Sequence, residues 1–267
     1  MKRLLRRLLS GSGPDPATPV RRVVFVSVDC EMTGLDPSRD DLLSVGAVAL
    51  RTMRMDLSAT FRGLLRPACP VRPEGVPVHR ILPGEAASGD EAAAELARFD
   101  AWLTGLALPA GRGGEGTPPV VLLGWCLGLD EAFLAAGRKR AGLPPRAHPG
   151  CDVQDLFRHV RASGGAVVSD QDATVPSGDP PSSCTHAALS AVPLKDADLY
   201  AVARALGVEV HDAHDALGDA CLCAQVFQRL VALLERRLGR RAAWGDLARA
   251  EGATCAGARH AGGSFGF

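Results

Sequence analysis

Runs of apolar and β-branched positions in the first quarter of the chain predict a three-stranded β-meander. The run at 23–28 has the length and composition of a strand, and 42–50 and 58–65 are two further runs of this kind. Turn residues at 33–37 separate the first two runs, and Pro67 follows the third. Strands joined by short turns pair as antiparallel neighbours, so the chain is expected to open with a small sheet.

Helical spacing of apolar residues dominates the rest of the chain. It predicts helices at 92–106, 130–141 and 152–160, a long helix at 215–240, and one short buried strand at 120–123. Strands and helices that share one hydrophobic core indicate an α/β domain.

Three segments have compositions that predict peripheral positions. Residues 1–20 are predicted to be a basic flexible extension, although the basic residues among leucines at their start also suit a short targeting or membrane-surface helix. Residues 163–193 contain almost no large apolar side chain and are predicted to be a mobile insertion. The Ala/Gly-rich residues 241–267 are predicted to be a loosely held tail. The folded domain is therefore expected at 21–240.

Composition and charge narrow the classes of function. A chain of 267 residues that is 46% hydrophobic suits one domain with a large core, and it excludes disorder throughout. Because 30 basic side chains balance 30 acidic ones, any nucleic-acid binding must depend on a local site. No uninterrupted apolar run approaches the ~20 residues of a membrane-spanning helix, and the eight cysteines form no CxxC pair. A soluble, cytoplasmic protein with reduced thiols and no membrane partner is expected.

A pair of carboxylates, Asp29 and Glu31, follows the first predicted strand. Positions i and i+2 of a strand lie on one face, so both side chains are expected to point the same way. Carboxylates grouped beside a tight turn can bind a hard divalent cation such as Mg²⁺ or Mn²⁺. An Asp-x-Glu triplet is expected about once by chance in such a chain. The pair indicates a cation site only because it ends an apolar strand and precedes the turn at 33–37.

Two further aspartates lie near predicted helix starts. Asp130 follows the strand at 120–123, where an acid also suits a helix N-terminus. Asp219 precedes Leu222 and Cys223 by three and four residues, which places its carboxylate on the core-facing stripe of the long helix. A buried carboxylate needs a partner, and both a divalent cation and an arginine would serve. His214, five residues earlier, is a candidate base or ligand.

Taken together, three segments resemble those of a known family in order and spacing. They are 29–35 (Asp-Cys-Glu-Met-Thr-Gly-Leu), 124–133 around Asp130, and 214–219 from the histidine to the aspartate. The chain is similar here to the DnaQ-like exonucleases with the Asp-Glu-Asp-Asp-His signature. Residues 78–81, Val-His-Arg-Ile, are also similar to the Val-His-Gly-Ile segment of that family.

The resemblance implies a ribonuclease-H-like α/β fold, with a central mixed sheet flanked by helices. It implies a 3′–5′ exonuclease that releases 5′-mononucleotides from a DNA or RNA 3′ end by a two-metal mechanism. The residues that would hold two Mg²⁺ or Mn²⁺ ions are Asp29, Glu31, Asp130 and Asp219. His214 would be the general base. By analogy, the residues that would bind the terminal nucleotide are Met32, Thr33, Gly34 and Leu35.

The chain also departs from the family pattern. Members commonly carry His-Asn five and four residues before the third aspartate and Phe just before it, whereas this chain has Trp125, Cys126 and Leu129. The first motif is similar to oligoribonucleases and the remainder to proofreading subunits, so DNA and RNA stay open, as does a polymerase or repair partner. A weakly active or inactive homologue that binds nucleic acid or a polymerase is the alternative function, because a fold alone does not confer activity.

Overall fold

The computed structural model describes residues 13–107, 117–162, 188–194, 197–211 and 214–248, and these contain a five-stranded mixed sheet. Its strands are β1 (Val24–Met32), β2 (Leu42–Arg51), β3 (Arg54–Leu64), β4 (Val120–Gly124) and β5 (Gly150–Asp152). The strand order is β3-β2-β1-β4-β5, with β1, β2 and β3 antiparallel and β4 and β5 parallel to β1. The predicted α/β class with a central mixed sheet is confirmed.

Helices cover both faces of this sheet. They are α1 (Val76–His79), α2 (Pro83–Ala87), α3 (Ala92–Leu106), α4 (Leu127–Arg140), α5 (Val153–Ala162), α6 (Leu199–Ala205) and α7 (Ala216–Leu238). The prediction for α3 is confirmed to the residue. In contrast, α4 begins three residues before its predicted start, which places Asp130 inside the first helical turn.

Successive side chains of β1 pack alternately into two separate hydrophobic layers. Phe25 faces the layer formed with α5, α6 and α7, and its ring lies 4.9 Å from that of Phe227. Val24 and Val26 face the opposite layer, formed with α3 and α4. Each layer excludes apolar side chains from water, so the central strand that carries Asp29 is fixed from both sides.

The start of α7 passes directly over β2 at Gly46. A Cβ atom at this position would overlap the backbone of Ala216 and Leu217, so only glycine allows the close approach. Gly46 pairs with Asp29 across the β1–β2 ladder. The contact therefore holds the first turn of α7 beside the acidic end of β1.

Part of each predicted peripheral end belongs to the core, which corrects the sequence analysis. Residues 13–20 and 242–247 form a seam: Pro19 and Ala243 make a β-bridge, and the Gly245 N–H donates to the Pro16 carbonyl at 2.8 Å. The buried apolar residues of this seam are Val20, Ala242, Trp244 and Leu247. A few large apolar side chains within Ala-, Gly- and Pro-rich sequence are enough to fix both segments.

The predicted insertion at 163–193 is also too long at its C-terminal end. Residues 188–191 are helical, and Leu189 is completely buried in the core. Within the predicted peripheral segments, residues 1–12, 163–187 and 249–267 fall outside the described residues.

Helix α7 is long and apolar enough, by length and composition alone, to cross a membrane. An 18-residue window within it has a mean hydropathy of 1.4, which the count of uninterrupted apolar runs missed. However, 56% of that window is buried inside the protein, and α7 packs on β1 and β2. This degree of burial is typical of a core helix, so α7 is described as part of the hydrophobic core.

Candidate active site

Asp29, Glu31 and Asp130 meet where β1 runs past the end of β4. The β4 pairing stops at Ser27, which leaves the Cys30 N–H without a partner strand on that side. Asp130 Oδ1 accepts a hydrogen bond from this N–H at 3.0 Å. This hydrogen bond holds the Asp130 carboxylate, which α4 carries, between the two acidic residues of β1. Asp130 is only 5% exposed.

Asp219 enters the same site from the first turn of α7. Its Oδ2 atom accepts hydrogen bonds from the Tyr200 hydroxyl at 2.7 Å and from the His214 backbone N–H at 2.9 Å. Its Oδ1 atom is buried and has no hydrogen-bond partner within the described structure. The sequence left a cation and an arginine open as partners of this carboxylate. No arginine pairs with it in the described parts of the chain.

His214 is held by its backbone and by Tyr200. The residue has a left-handed conformation with φ 66°, and its ring packs edge-on against Tyr200 with centroids 5.4 Å apart. The next residue, Asp215, caps α7 by accepting from the Gly218 N–H at 3.0 Å, and it pairs with Arg62 at 2.6 Å. His211 lies outside this arrangement, since its exposed ring contacts Glu209.

Burial and mutual repulsion disfavour ionisation throughout the cluster. Burial, followed by the charges of Asp219 and Asp130, raises the pKa of Glu31 to about 8. Burial raises the pKa of Asp130 to about 8, and burial with repulsion from Asp130 raises the pKa of Asp29 well above its ordinary value. Burial also raises the pKa of Asp219. The free protein therefore carries several carboxylates that cannot all ionise at low cost.

The donor set fits a hard divalent cation. One ligand atom from each of Glu31, His214 and Asp219 lies within 4.8 Å of the other two. The unpartnered Oδ1 of Asp219 adds a buried acceptor that a cation would satisfy. Carboxylate oxygens are typical ligands of Mg²⁺ and Mn²⁺, whereas an imidazole is more typical of zinc and other transition metals.

Comparison with known proteins agrees with this geometry. The RNase T exonuclease family matches residues 26–114, the stretch that contains β1 and both of its acidic residues. This match supports the resemblance of the stretch to DnaQ-like exonucleases. None of the curated proteins matches the chain.

Solved structures share the fold of this chain. The zinc-bound complex of E. coli exonuclease I with single-stranded DNA is 19% identical, with a TM-score of 0.56, and the match covers 82% of this chain and 41% of the enzyme. The complex of E. coli exonuclease I with dA16 is also 19% identical, with a TM-score of 0.54 over 80% and 41% of the two chains. Cell-death related nuclease 4 (CRN-4) is 14% identical, with a TM-score of 0.56 over 79% and 64%.

These likenesses confirm the ribonuclease-H-like fold predicted for the domain. At 14% to 19% identity these structures establish the fold alone, so the chemistry has to be argued from the site. The chain spans about two fifths of the length of exonuclease I.

The three residues that depart from the family pattern lie around the turn before α4. Trp125 packs against Phe157 with ring centroids 6.2 Å apart, and Leu129 packs in the layer formed with α3 and α4. Cys126 precedes α4 in a left-handed conformation, φ 58°, with its Sγ 3.5 Å from Gln154 Oε1. These residues support the strand-to-helix turn that delivers Asp130.

Replacing Cys126 with asparagine should stabilise the domain. Asparagine adopts left-handed backbone more readily than cysteine, so we expect Cys126→Asn to raise the free energy of unfolding by about 0.5–1 kcal/mol. Thermal denaturation monitored by circular dichroism would measure this as a higher Tm. Cys126→Ala is the matched control, because it removes the thiol and keeps the strain. If asparagine gives no gain over alanine, the backbone does not limit stability here.

The residues predicted to bind the terminal nucleotide differ in accessibility. Thr33 is buried, and its hydroxyl accepts from the Asp41 N–H at 3.0 Å. A Cβ atom on Gly34 would overlap Asp40, so this glycine fits a tight turn. Met32 packs on the α3–α4 layer, whereas Leu35 is 43% exposed. Their role in substrate binding stays a prediction.

Tyr200 is a site residue that the sequence analysis missed. It is the single tyrosine of the chain and lies 14 residues before His214, a separation that no local motif connects. Its hydroxyl reaches both Asp219 and the histidine only because α6 packs beside α7. Its single occurrence was the one available signal, and it carried no spacing information.

Proposed function

We propose that the chain is a metal-dependent 3′–5′ exonuclease that hydrolyses DNA or RNA from the 3′ end and releases 5′-mononucleotides. The observation that carries this proposal is the convergence of four carboxylates and His214 in one site of an exonuclease-family domain. The water oxygen would bond to phosphorus, and the bond from phosphorus to the 3′ oxygen of the preceding nucleotide would break.

The acidic cluster would hold two Mg²⁺ or Mn²⁺ ions. The ligands would be Asp29, Glu31, Asp130 and Asp219. When bound, the ions would lower the pKa of the attacking water and stabilise the charge on the reacting phosphate. The raised pKa values of the carboxylates and the unpartnered Asp219 Oδ1 support this assignment.

His214 would accept the proton of the attacking water through Nε2. The Tyr200 hydroxyl has one proton and donates it to Asp219 at 2.7 Å, so its oxygen is left as the acceptor for His214 Nδ1 at 3.4 Å. This contact favours the tautomer with the proton on Nδ1, and Nε2 is then free to act as a base.

Tyr200→Phe should therefore lower turnover without unfolding the protein. We expect kcat to fall about tenfold, the lower range for residues that orient a metal ligand or base, with KM for an oligonucleotide unchanged. Initial rates between pH 6 and 9 would measure this. Because the phenylalanine ring leaves the histidine tautomer unset, the pH dependence of kcat should also shift. A rate and pH profile equal to wild type would exclude the orienting role.

The substrate class is proposed from the ligands bound by the structural relatives. The exonuclease I structures were solved with single-stranded DNA and with dA16, which supports a nucleic-acid strand as the substrate here. A polymerase or repair partner and a cytoplasmic location are further proposals that accompany this function.

Digestion of labelled oligonucleotides tests the proposal directly. A 5′-labelled DNA with an unpaired 3′ end and the matching RNA are incubated with Mn²⁺ or with chelator. We expect a ladder that shortens from the 3′ end only with metal, and none for Asp29→Ala or His214→Ala. His211→Ala is the matched control, because this exposed histidine lies three residues from the proposed base.

Each alternative outcome has a definite meaning. Binding of the oligonucleotide without shortening in wild type would replace the exonuclease with the binding-module alternative. Shortening from the 5′ end would refute the direction. The faster of the two oligonucleotides identifies DNA or RNA as the substrate class.

A further inference from the structure

Arg80 lines the cleft that lies beside the acidic cluster. The cleft has a volume of about 160 Å³, and Glu31, Ser44 and His214 contribute to its walls. The Arg80 side chain is exposed to solvent at this wall. A ligand that contacts Glu31 and His214 in this cleft therefore lies near the Arg80 guanidinium.

The backbone at Arg80 is fixed in an unusual conformation. Arg80 ends α1 with φ 55° and ψ 11°, in the left-handed region that favours glycine. Its N–H donates to the Val76 carbonyl at 2.8 Å, and the next N–H, of Ile81, donates to His79 Nδ1 at 3.1 Å. The turn itself gains nothing from an arginine, so its side chain requires another explanation.

The charges around the cleft supply that explanation. Among the described residues that line it, Arg80 has the single permanent positive charge, and Glu31, Glu85 and Asp215 are acidic. Asp215 is already paired with Arg62. Arg80 makes no salt bridge with any carboxylate of the described residues. Its guanidinium is therefore available to an anion from solution.

An anionic strand needs such a group at this position. Phosphates that approach an acidic cluster are repelled by every carboxylate that no cation neutralises. A guanidinium forms two parallel hydrogen bonds with phosphate oxygens and keeps its charge at all relevant pH values. We propose that Arg80 binds a backbone phosphate of the nucleic-acid strand whose 3′ end lies at the acidic cluster. This inference rests on the proposed exonuclease function.

Arg80→Gly separates substrate binding from folding. Glycine fits the left-handed conformation, so its Tm should equal or exceed that of wild type. We expect Kd for a fluorescent single-stranded oligonucleotide, measured by anisotropy with Ca²⁺ in place of Mn²⁺, to rise about tenfold. Loss of one phosphate contact should also make the slope of log Kd against log salt shallower by about 0.7. KM in the Mn²⁺ digestion should rise with Kd.

Two further variants sharpen the experiment. Arg80→Lys keeps the charge but loses the paired hydrogen bonds, so it should retain the salt slope and lose less affinity than glycine. Arg54→Ala removes an exposed charge at the far end of β3, so affinity and slope should match wild type.

The outcomes distinguish this inference from the function on which it rests. If Arg80→Gly equals wild type in Kd, KM and salt slope, the phosphate contact is refuted while the exonuclease stands. If wild type binds through Arg80 but shortens neither oligonucleotide, the exonuclease is refuted and the contact stands. If wild type binds neither oligonucleotide, both are refuted.

Discussion

Asp219→Asn is expected to abolish degradation of the 3′ end and to stabilise the metal-free protein. The asparagine carbonyl can still accept from Tyr200 and from the His214 N–H, so the fold of the site is retained. The negative charge that a cation needs is lost, and we expect kcat to fall by at least about 10³-fold, equivalent to several kcal/mol of transition-state stabilisation. Initial rates with Mn²⁺ and melting curves in chelator measure the two effects.

A second buried aspartate provides the matched control. Asp246 is 4% exposed, pairs with Arg240 at 2.8 Å, and lies in the seam between the two ends of the described chain. Asp246→Asn should lower Tm and leave the degradation rate unchanged, which is the reverse of the pattern for Asp219→Asn. If Asp219→Asn lowers Tm in chelator, or lowers kcat by less than about tenfold, its carboxylate is structural.

Metal-free protein should lose stability as the pH rises from 5 to 9. The pKa values of Glu31 and Asp130 are raised to about 8, so between pH 5 and 8 the folded state holds protons that the unfolded chain has released. Stability conferred by these neutral acids is therefore present at low pH and is lost through about pH 8. A change of about 2–3 kcal/mol, which corresponds to roughly 5–10 °C in Tm, is expected.

Mn²⁺ should reverse that trend, because cations bind the ionised carboxylates. Its stabilisation should be near zero at pH 5.5 and largest above pH 8, measured as the difference in Tm between Mn²⁺ and chelator. Glu31→Gln should flatten the pH dependence in chelator and weaken the response to Mn²⁺. A melting temperature that responds neither to pH nor to Mn²⁺ would contradict the shared cation site.

Strong periodic patterns were sufficient to predict much of the fold. The helix at 92–106 matches α3 to the residue, and the strand at 42–50 differs from β2 by one position, because each has a continuous apolar face. Acidic residues concealed the last four positions of β1, and glycines concealed the start of α4. At both places tertiary contacts outweigh local propensity.

The site was predictable only in part. Order and spacing pointed to Asp29, Glu31, Asp130, Asp219 and His214, and the described contacts place all five together. Tyr200 was missed, because its contact depends on how α6 packs on α7. The seam was missed as well, since its few large residues are diluted by alanine, glycine and proline.

The packing of α7 on β1 and β2 has a consequence for synthesis on the ribosome. Roughly 150 residues separate β3 from the start of α7. At about 5–20 residues per second, the meander is therefore made roughly eight to thirty seconds before the helix that covers it. During that interval the apolar face that includes Phe25, Val48 and Leu50 has no α7 to bury it. The nascent chain is then exposed to aggregation, and a chaperone that binds extended apolar segments would protect it until translation is nearly complete.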